Sequence, residues 1–518
     1  MNRINIHHCC PSENHLFTGP TGISRRSFIK TMGGSTLSVV ALPGLTWPVL
    51  AGLKPEETFG IIRRPLVVKP ILVYDTPQYK FQTSWRSWGG IQTEQDATEE
   101  TGRITEELNK LKSQADFPVT FLPVSGIQSP NEVDSTGDLV SADVFLVYAA
   151  GGWTNIFDAL HKMNKDMIFF CRHKSGPVYL WYEIISPRYL RQHTDKLSVT
   201  GVDEDDVIID NQDEILWRLR ALCGLYNTLN TRIIAIGGPG AWAQPEGVVP
   251  RLIEEKFKFK IYSFSYDDLG SLIRETRADK SAVRRAEKRA GEYLRDSGIT
   301  LETKRQFVDN AFLLEDIFRR IMLKEDCRSL TINGCMGTIM PMAETSACLT
   351  LSLLNDSGYP SFCESDFVVI PAGILLANIS GKPSFLNDPT YPHDGIITLA
   401  HCTAPRRMDG INQEPARILT HFESDYGAAP KVEMKIGQVI TNIIADFKVS
   451  HYVGLSGQIQ DHPFMDICRS QIDVRYNCDS KTLARKMPGF HWITGYGDYL
   501  RETGYALKRL GIEWETLV

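Results

Sequence analysis

The chain has 518 residues, of which 42% are hydrophobic, 23% charged and 10% aromatic, a globular composition that excludes disordered, collagen-like and coiled-coil chains. At roughly 150 residues per domain, this length predicts two to four domains. Fifty-six basic against 62 acidic residues give a net charge of -6 without a long basic block, which argues against a nucleic-acid partner because phosphate binding requires a concentrated positive surface.

The cysteines follow no recognised metal or redox spacing. Eleven of them are scattered along the chain without a C-x-x-C pair, so neither a zinc ribbon nor a thioredoxin motif is supported. The length of the chain excludes a small secreted disulfide scaffold. We therefore expect most of the thiols to be buried as small apolar groups.

The first fifty residues have the pattern of an export signal. Residues 24–30 read Ser-Arg-Arg-Ser-Phe-Ile-Lys, and a moderately apolar run with two prolines and three glycines follows over residues 32–50. Twin arginines before a weakly hydrophobic run resemble a bacterial twin-arginine signal, and the run suits a signal core better than a membrane span. We predict a signal peptide over residues 1–51, the twin-arginine export machinery as a partner and a periplasmic or extracellular location. A chance Arg-Arg pair is the alternative.

The next part of the chain alternates between short β-rich runs and helical patterns. The β-rich runs cover residues 67–74, 119–124, 143–148 and 166–171, and the helical patterns cover residues 92–115 and 154–163. Alternation of this kind predicts a parallel sheet covered by helices. We therefore predict an N-terminal α/β domain over residues 52–212.

A second α/β domain is predicted over residues 213–328. A helical pattern leads into the strand-like residues 232–236, and a glycine-rich turn follows over residues 237–240. That turn lacks the G-x-G-x-x-G spacing of a dinucleotide site, and a P-loop is absent from the sequence. Residues 267–327 are dense in charge with interspersed apolar residues, which predicts the solvated faces of two or three helices.

The last third of the chain, residues 329–518, contains the candidate chemistry. Glu344, Asp366 and His491 supply two carboxylates and one imidazole, a donor set that suits Mn²⁺ or Mg²⁺ around an open site. Such an ion acts as a Lewis acid on a sugar carbonyl, and a neighbouring carboxylate can move a proton between adjacent carbons. Spacing alone supports this ligand set only weakly, because carboxylates and histidines are common.

Longer motifs in this region resemble the C-terminal domain of the L-fucose isomerase-like family. They are Cys363-Glu364-x-Asp366, Gly381-Lys382-Pro383-x-Phe385-x-x-Asp388, Leu399-Ala400-His401-Cys402-x-x-Pro405, and Gly489-x-His491 followed by Gly497-Asp498. The resemblance covers roughly residues 330–518 and is only architectural before them. It implies two N-terminal α/β (Rossmann-like) domains followed by a mixed α/β C-terminal domain with a β-rich, barrel-like part.

The resemblance also implies the roles of individual residues. Glu344, Asp366 and His491 would bind the metal, Mn²⁺ or Mg²⁺, and Glu344 and Asp366 would form the acid/base pair of proton transfer. Four further residues are candidates for bracing the ligands or contacting substrate: Glu364, Asp388, His401 and Trp492. Other interpretations stay open, since His401 also fits a core histidine, Asp388 a turn former and Trp492 an ordinary packing residue.

The implied function is an exported, metal-dependent carbohydrate enzyme. Its minimal reaction is aldose–ketose isomerisation through a metal-stabilised enediolate, with a small sugar or an oligosaccharide as substrate. Two alternatives are a carbohydrate lyase that begins with proton abstraction and ends in β-elimination, and a non-catalytic sugar-binding relative. The resemblance further implies a homo-oligomer.

Overall fold

The computed structural model describes residues 61–194 and 201–517, so the predicted signal peptide over residues 1–51 lies outside the described residues. Among the helices of these described ranges, none is both long enough and apolar enough to cross a bilayer.

The first sheet is parallel and is covered by helices on both faces. Its elements are β1 (Leu66–Val73), α1 (Glu94–Gln114), β2 (Val119–Phe121), β3 (Ser125–Ile127), α2 (Pro130–Ser135), β4 (Val144–Ala149), α3 (Thr154–His161), β5 (Asp166–Cys171), α4 (Trp181–Ile184) and β6 (Val207–Ile209). The strand order is β2-β1-β4-β5-β6, with β3 also parallel to β1. Apolar residues on one face of β1 pack with α1, and those on the other face pack with α3. Burial on both faces explains the near-continuous apolar runs that predicted these strands.

The second sheet is also parallel. Its region contains α5 (Asp213–Thr228), β7 (Arg232–Ile236), α6 (Val248–Lys256), β8 (Lys260–Phe264), α7 (Tyr266–Ala278), α8 (Lys280–Tyr293), β9 (Ile299–Leu301), α9 (Arg305–Lys324), β10 (Ser329–Ile332), α10 (Met340–Ala343), α11 (Cys348–Asp356) and β11 (Ser361–Phe362). The strand order is β11-β10-β7-β8. The charged stretch over residues 267–327 forms helices α7, α8 and α9, as its pattern predicts. The sheet continues past residue 329, where a new domain was predicted to begin, because β10 is the parallel partner of β7.

Six of the remaining strands form a closed antiparallel barrel. The elements are α12 (Ile370–Ser380), β12 (Phe385–Pro389), β13 (Ile396–His401), β14 (Ala416–His421), β15 (Tyr426–Val432), β16 (Val439–Ile444), β17 (His451–Asp461), β18 (Ser470–Arg475), α13 (Ser480–Arg485), β19 (Trp492–Tyr496), α14 (Leu500–Lys508) and β20 (Glu513–Leu517). Six strands pair in the order β16-β19-β12-β13-β18-β17, and β17 pairs back to β16. Strand β20 is added in parallel to β17, and the β14–β15 hairpin pairs with β9. The predicted class, mixed α/β with parallel Rossmann-like sheets and a barrel-like C-terminal part, is confirmed.

Helix α5 packs between the first sheet and two helices from the last part of the chain. It contacts β1 of the first sheet and also α12 and α14, which belong to the last part of the chain. Gly224 makes the close approach to α12 possible, because a Cβ atom at this position would lie 2.3 Å from Ile379 Cγ1. A glycine inside a helix lowers its intrinsic stability, so its presence here reflects packing.

A buried carboxyl group lies where α11 meets the loop after β13. Asp356 ends α11, and its Oδ1 accepts a hydrogen bond of 2.7 Å from the amide of Arg407. Burial raises the pKa of Asp356 to about 7, although the Arg407 amide and the charge of Arg406 act in the opposite direction. The folded-state pKa therefore exceeds the value of about 3.9 in an unfolded chain. The resulting stabilisation is present at low pH and is lost as the pH rises through about 7.

We expect Asp356→Asn to remove this pH dependence, because the amide is neutral at every pH. From about pH 8 to about pH 6, the free energy of unfolding should rise by about 1 kcal/mol more in the wild type than in the variant. Urea unfolding at the two pH values measures the difference. Asp326→Asn is the control, since the Asp326 side chain is 92% exposed. Equal pH dependence in the wild type and Asp356→Asn would contradict this account.

Candidate metal centre

Three neighbouring barrel strands and one loop bring ionisable side chains together. Asp388 lies on β12, His401 ends β13, and His491 immediately precedes β19, which pairs with β12. Glu364 and Asp366 come from the segment between β11 and α12. The strand order β19-β12-β13 therefore places the barrel residues side by side, and the loop lies against them.

The donor atoms of these side chains converge on His491 and His401. His491 Nε2 lies 3.2 Å from Asp388 Oδ1 and 3.4 Å from Glu364 Oε2. The other oxygen of Glu364 lies 3.7 Å from His401 Nε2. Glu364, His401 and His491 can each direct one ligand atom at a common point, because these atoms lie within 4.8 Å of one another. The arrangement of two imidazoles and one carboxylate is a known ligand set for divalent transition metals.

The backbone at Glu364 is strained. Glu364 and the following Ser365 have φ values of 66° and 46°, in the left-handed region that non-glycine residues rarely adopt. Each such residue costs of order 1 kcal/mol or more and persists only where the surroundings enforce it. This unusual turn directs the Glu364 carboxylate at His401 and His491, which is consistent with a functional requirement for its position.

Asp366 orients His491 by contacting Nδ1, the ring nitrogen that faces away from the cluster. Its Oδ2 lies 2.7 Å from His491 Nδ1, and its Oδ1 accepts hydrogen bonds from the amides of Trp242, at 3.1 Å, and Val368, at 3.2 Å. The carboxylate accepts, so Nδ1 donates and Nε2 faces Glu364 and Asp388. Metal-binding histidines commonly have such a carboxylate partner, which fixes the ring and its tautomer. Asp366 was predicted as a ligand and acid/base residue, but the structure engages both of its oxygens in positioning.

His401 is oriented in a similar way. Its Nδ1 lies 3.1 Å from Thr403 Oγ1, so its Nε2 faces Glu364. The side chains of His401 and His491 are 2% and 0% exposed. Both histidines therefore have one ring nitrogen engaged by the protein and the other directed into the cluster.

Opposite charges within the cluster shift the pKa values of its side chains. Burial disfavours the imidazolium form of His491, yet Asp366, Glu364 and Asp388 together raise its pKa well above the ordinary value. Burial acts against the ionised form of Glu364, but His401 and His491 lower its pKa to about 2. Burial raises the pKa of Asp388. A divalent cation bound between the two imidazoles and Glu364 would supply positive charge to the same carboxylates.

Two predicted site residues lie elsewhere. Glu344 follows α10 with a φ of 50°, and its side chain is 57% exposed and paired with Arg277. Trp492 is fully buried in the apolar barrel cluster that contains Ile440 and Leu455. The structure therefore does not bring Glu344 or Trp492 to the cluster, and the predicted ligand and catalytic roles of Glu344 gain no support from it.

The second sheet contributes residues that the sequence analysis did not select. Gly240 pairs as an isolated bridge with Asp366, and Trp242 then stacks on Phe490, with ring centroids 4.0 Å apart and planes 9° from parallel. Phe490 precedes His491, so the stack borders the cluster. The sequence signal was the glycine-rich turn at the carboxyl end of β7, since ligand sites in parallel sheets lie at that edge.

Comparisons with known proteins do not extend this description. No family model matches the chain, and no curated protein is significantly similar to it. The resemblance to the L-fucose isomerase-like family therefore stays a prediction from sequence motifs.

The two glutamates provide a direct comparison between the sequence prediction and the structure. We expect Glu364→Gln to weaken Mn²⁺ binding at least about 100-fold, because it removes the carboxylate ligand between the two histidines. Glu344→Gln should bind Mn²⁺ within about twofold of the wild type, since its side chain faces Arg277. Electron paramagnetic resonance of free Mn²⁺ during titration measures both affinities. The reverse order of effects would restore the predicted role of Glu344.

Proposed function

We propose that the chain is a metal-dependent carbohydrate enzyme that interconverts an aldose and a ketose. The observation that carries this proposal is the convergence of Glu364, His401 and His491, with Asp388 beside them. The sequence resemblance to the L-fucose isomerase-like family supports the choice of reaction. The ligand set differs from the predicted one: Glu364 and His401 take the places that the sequence analysis gave to Glu344 and Asp366.

The donor set favours Mn²⁺ over Mg²⁺. Imidazole nitrogen suits transition metals, whereas Mg²⁺ prefers oxygen ligands and retains several waters. Two of the three proposed ligands are histidines, and only Glu364 offers oxygen. The Glu364 carboxylate would offset part of the charge of a divalent ion, which reduces the cost of burying that charge.

The environments of the Glu364 and Asp388 carboxyl groups suggest different roles for the two residues. The pKa of Glu364 is lowered to about 2 by His401 and His491 against the effect of burial, so this group stays ionised as a ligand. The pKa of Asp388 is raised by burial. Neighbouring carboxyl groups with pKa values shifted in opposite directions are typical of acid/base pairs in active sites. We assign Asp388, whose side chain is 17% exposed, as the group that moves a proton between C2 and C1 of the sugar.

The other residues around the cluster would position the substrate and exclude water. A bound divalent ion would supply a Lewis acid that polarises a sugar carbonyl and stabilises the charge developing on its oxygen. The parallel rings of Trp242 and Phe490 present an apolar surface beside the ligands. This surface suits the C–H face of a sugar and limits the access of water.

We expect Asp388→Asn to lose at least about 100-fold in proton exchange, because the amide cannot accept a proton from carbon. Its Mn²⁺ affinity should stay within about threefold of the wild type, which separates proton transfer from metal binding. The measurement is ¹H NMR of the Mn²⁺-loaded protein in D₂O with a panel of aldoses and uronides. The exposed Asp394→Asn, on the turn between β12 and β13, is the matched control.

The same experiment distinguishes the alternative functions. Deuterium at C2 of an aldose, or at C1 of a new ketose, supports isomerisation. Loss of the C4 proton of a uronide with a new alkene signal would replace the isomerase by a lyase. Bound metal with no exchange in any sugar would replace both by a binding role. Export by the twin-arginine route and assembly into a homo-oligomer stay predictions from the sequence.

A further inference from the structure

A second cluster of ligand-type side chains lies next to the candidate metal centre. Cys348 begins α11, Cys402 follows β13, and His421 ends β14. One donor atom from each lies within 4.8 Å of the other two. The three residues are 3%, 5% and 6% exposed. They come from three separate elements, so their convergence is a product of the tertiary fold.

The two sulfur atoms are close without being bonded. Cys348 Sγ lies 3.2 Å from Cys402 Sγ, compared with about 2 Å in a disulfide. Two sulfur atoms bound to one zinc ion by bonds of about 2.3 Å, at a tetrahedral angle, lie about 3.8 Å apart. The two sulfur atoms would therefore have to move apart by roughly half an ångström to bind one zinc ion.

His421 is oriented for a ligand role. Its Nδ1 lies 3.2 Å from Ser424 Oγ, which leaves Nε2 as the donor for the cluster. This is the arrangement found at histidine ligands, where one ring nitrogen binds the metal and the other is held by the protein.

The surroundings of the cluster are rich in sulfur. The three residues line a cavity that also borders the candidate metal centre through Glu364 and His401. Four other sulfur-containing residues line the same cavity: Cys335, Met336, Cys363 and Cys468. Thiolate and thioether groups select zinc and copper(I) over Mn²⁺ and Mg²⁺. The cavity therefore offers soft ligands directly beside the harder ligands of the first cluster.

We propose that Cys348, Cys402 and His421 form a second metal site that binds Zn²⁺. Each thiol releases its proton to solvent as its zinc–sulfur bond forms, and the two thiolates neutralise the charge of the ion. The buried complex is then neutral, whereas copper(I) would leave a net negative charge in a cavity of low polarity. Water, a neutral ligand, completes the tetrahedron. This proposal is independent of the proposed sugar chemistry.

The test uses Co²⁺ as a probe of thiolate ligation in the reduced, metal-free full-length protein. We expect one equivalent of Co²⁺ to give a sulfur-to-cobalt charge-transfer band and one equivalent of Zn²⁺ to abolish it. The first cluster contains no sulfur, so Glu364→Gln should leave the band unchanged whether or not the sugar chemistry holds. Cys348→Ser with Cys402→Ser should lose the band, and Cys171→Ser, a buried cysteine in the first sheet, should retain it.

A second measurement keeps the test valid if the double variant does not fold. Bound Zn²⁺ should slow alkylation of Cys348 and Cys402 in the wild type at least about tenfold, as read by mass spectrometry, and leave Cys478 unchanged. Absence of the charge-transfer band and of this protection in the reduced protein would overturn the proposal. So would binding of copper(I) without displacement by Zn²⁺, or a Cys348–Cys402 disulfide that forms in place of metal binding.

Discussion

The candidate site depends on the hydrogen bond between His491 Nδ1 and Asp366 Oδ2, because this contact joins three parts of the chain. His491 belongs to the entry of barrel strand β19, and Asp366 belongs to the segment after β11 of the second sheet. The other oxygen of Asp366 accepts the amide of Trp242, from the turn after β7. A buried carboxylate is stable only when its oxygens are satisfied. The network that satisfies Asp366 therefore also fixes how the barrel sits against the second sheet.

Two kinds of ligand chemistry meet at one strand end. His401 ends β13 and belongs to the oxygen- and nitrogen-rich cluster, whereas the next residue, Cys402, belongs to the sulfur-rich cluster. One peptide therefore contributes to both clusters, and because Cys402 Sγ lies 3.9 Å from His401 Nδ1, the two kinds of donor border one cavity.

Much of the fold followed from local patterns. The apolar run of β1 and the amphipathic pattern of α1 predicted their elements because each is determined mainly by neighbouring residues. Glu364, Asp366, Asp388, His401 and His491 were selected by short motifs, and the structure places all five together. The sequence does not show which of them bind the metal and which only orient the ligands. Glu364 and Asp366 are two residues apart, and the strained backbone at Glu364 decides which carboxylate faces the histidines.

The features that the sequence does not reveal are contacts between residues that are far apart in the chain. Trp242 meets Asp366 across 124 residues of sequence, and Cys348 meets Cys402 across 54, so no local spacing rule detects either contact. The backbone around Glu344 places its side chain away from the cluster. The left-handed turn after α10 directs this side chain to Arg277.

The position of β19 has a consequence for the order of assembly. This strand lies between β12 and β16 in the barrel, although it follows both of them in the chain. The barrel wall thus has a gap until residues 492–496 are available, and the same insertion delivers His491 to Asp366 and Glu364. Contacts between residues distant in sequence form late because loop closure must come first. During synthesis, the cluster can therefore be completed only after residues 491–496 have emerged from the ribosome.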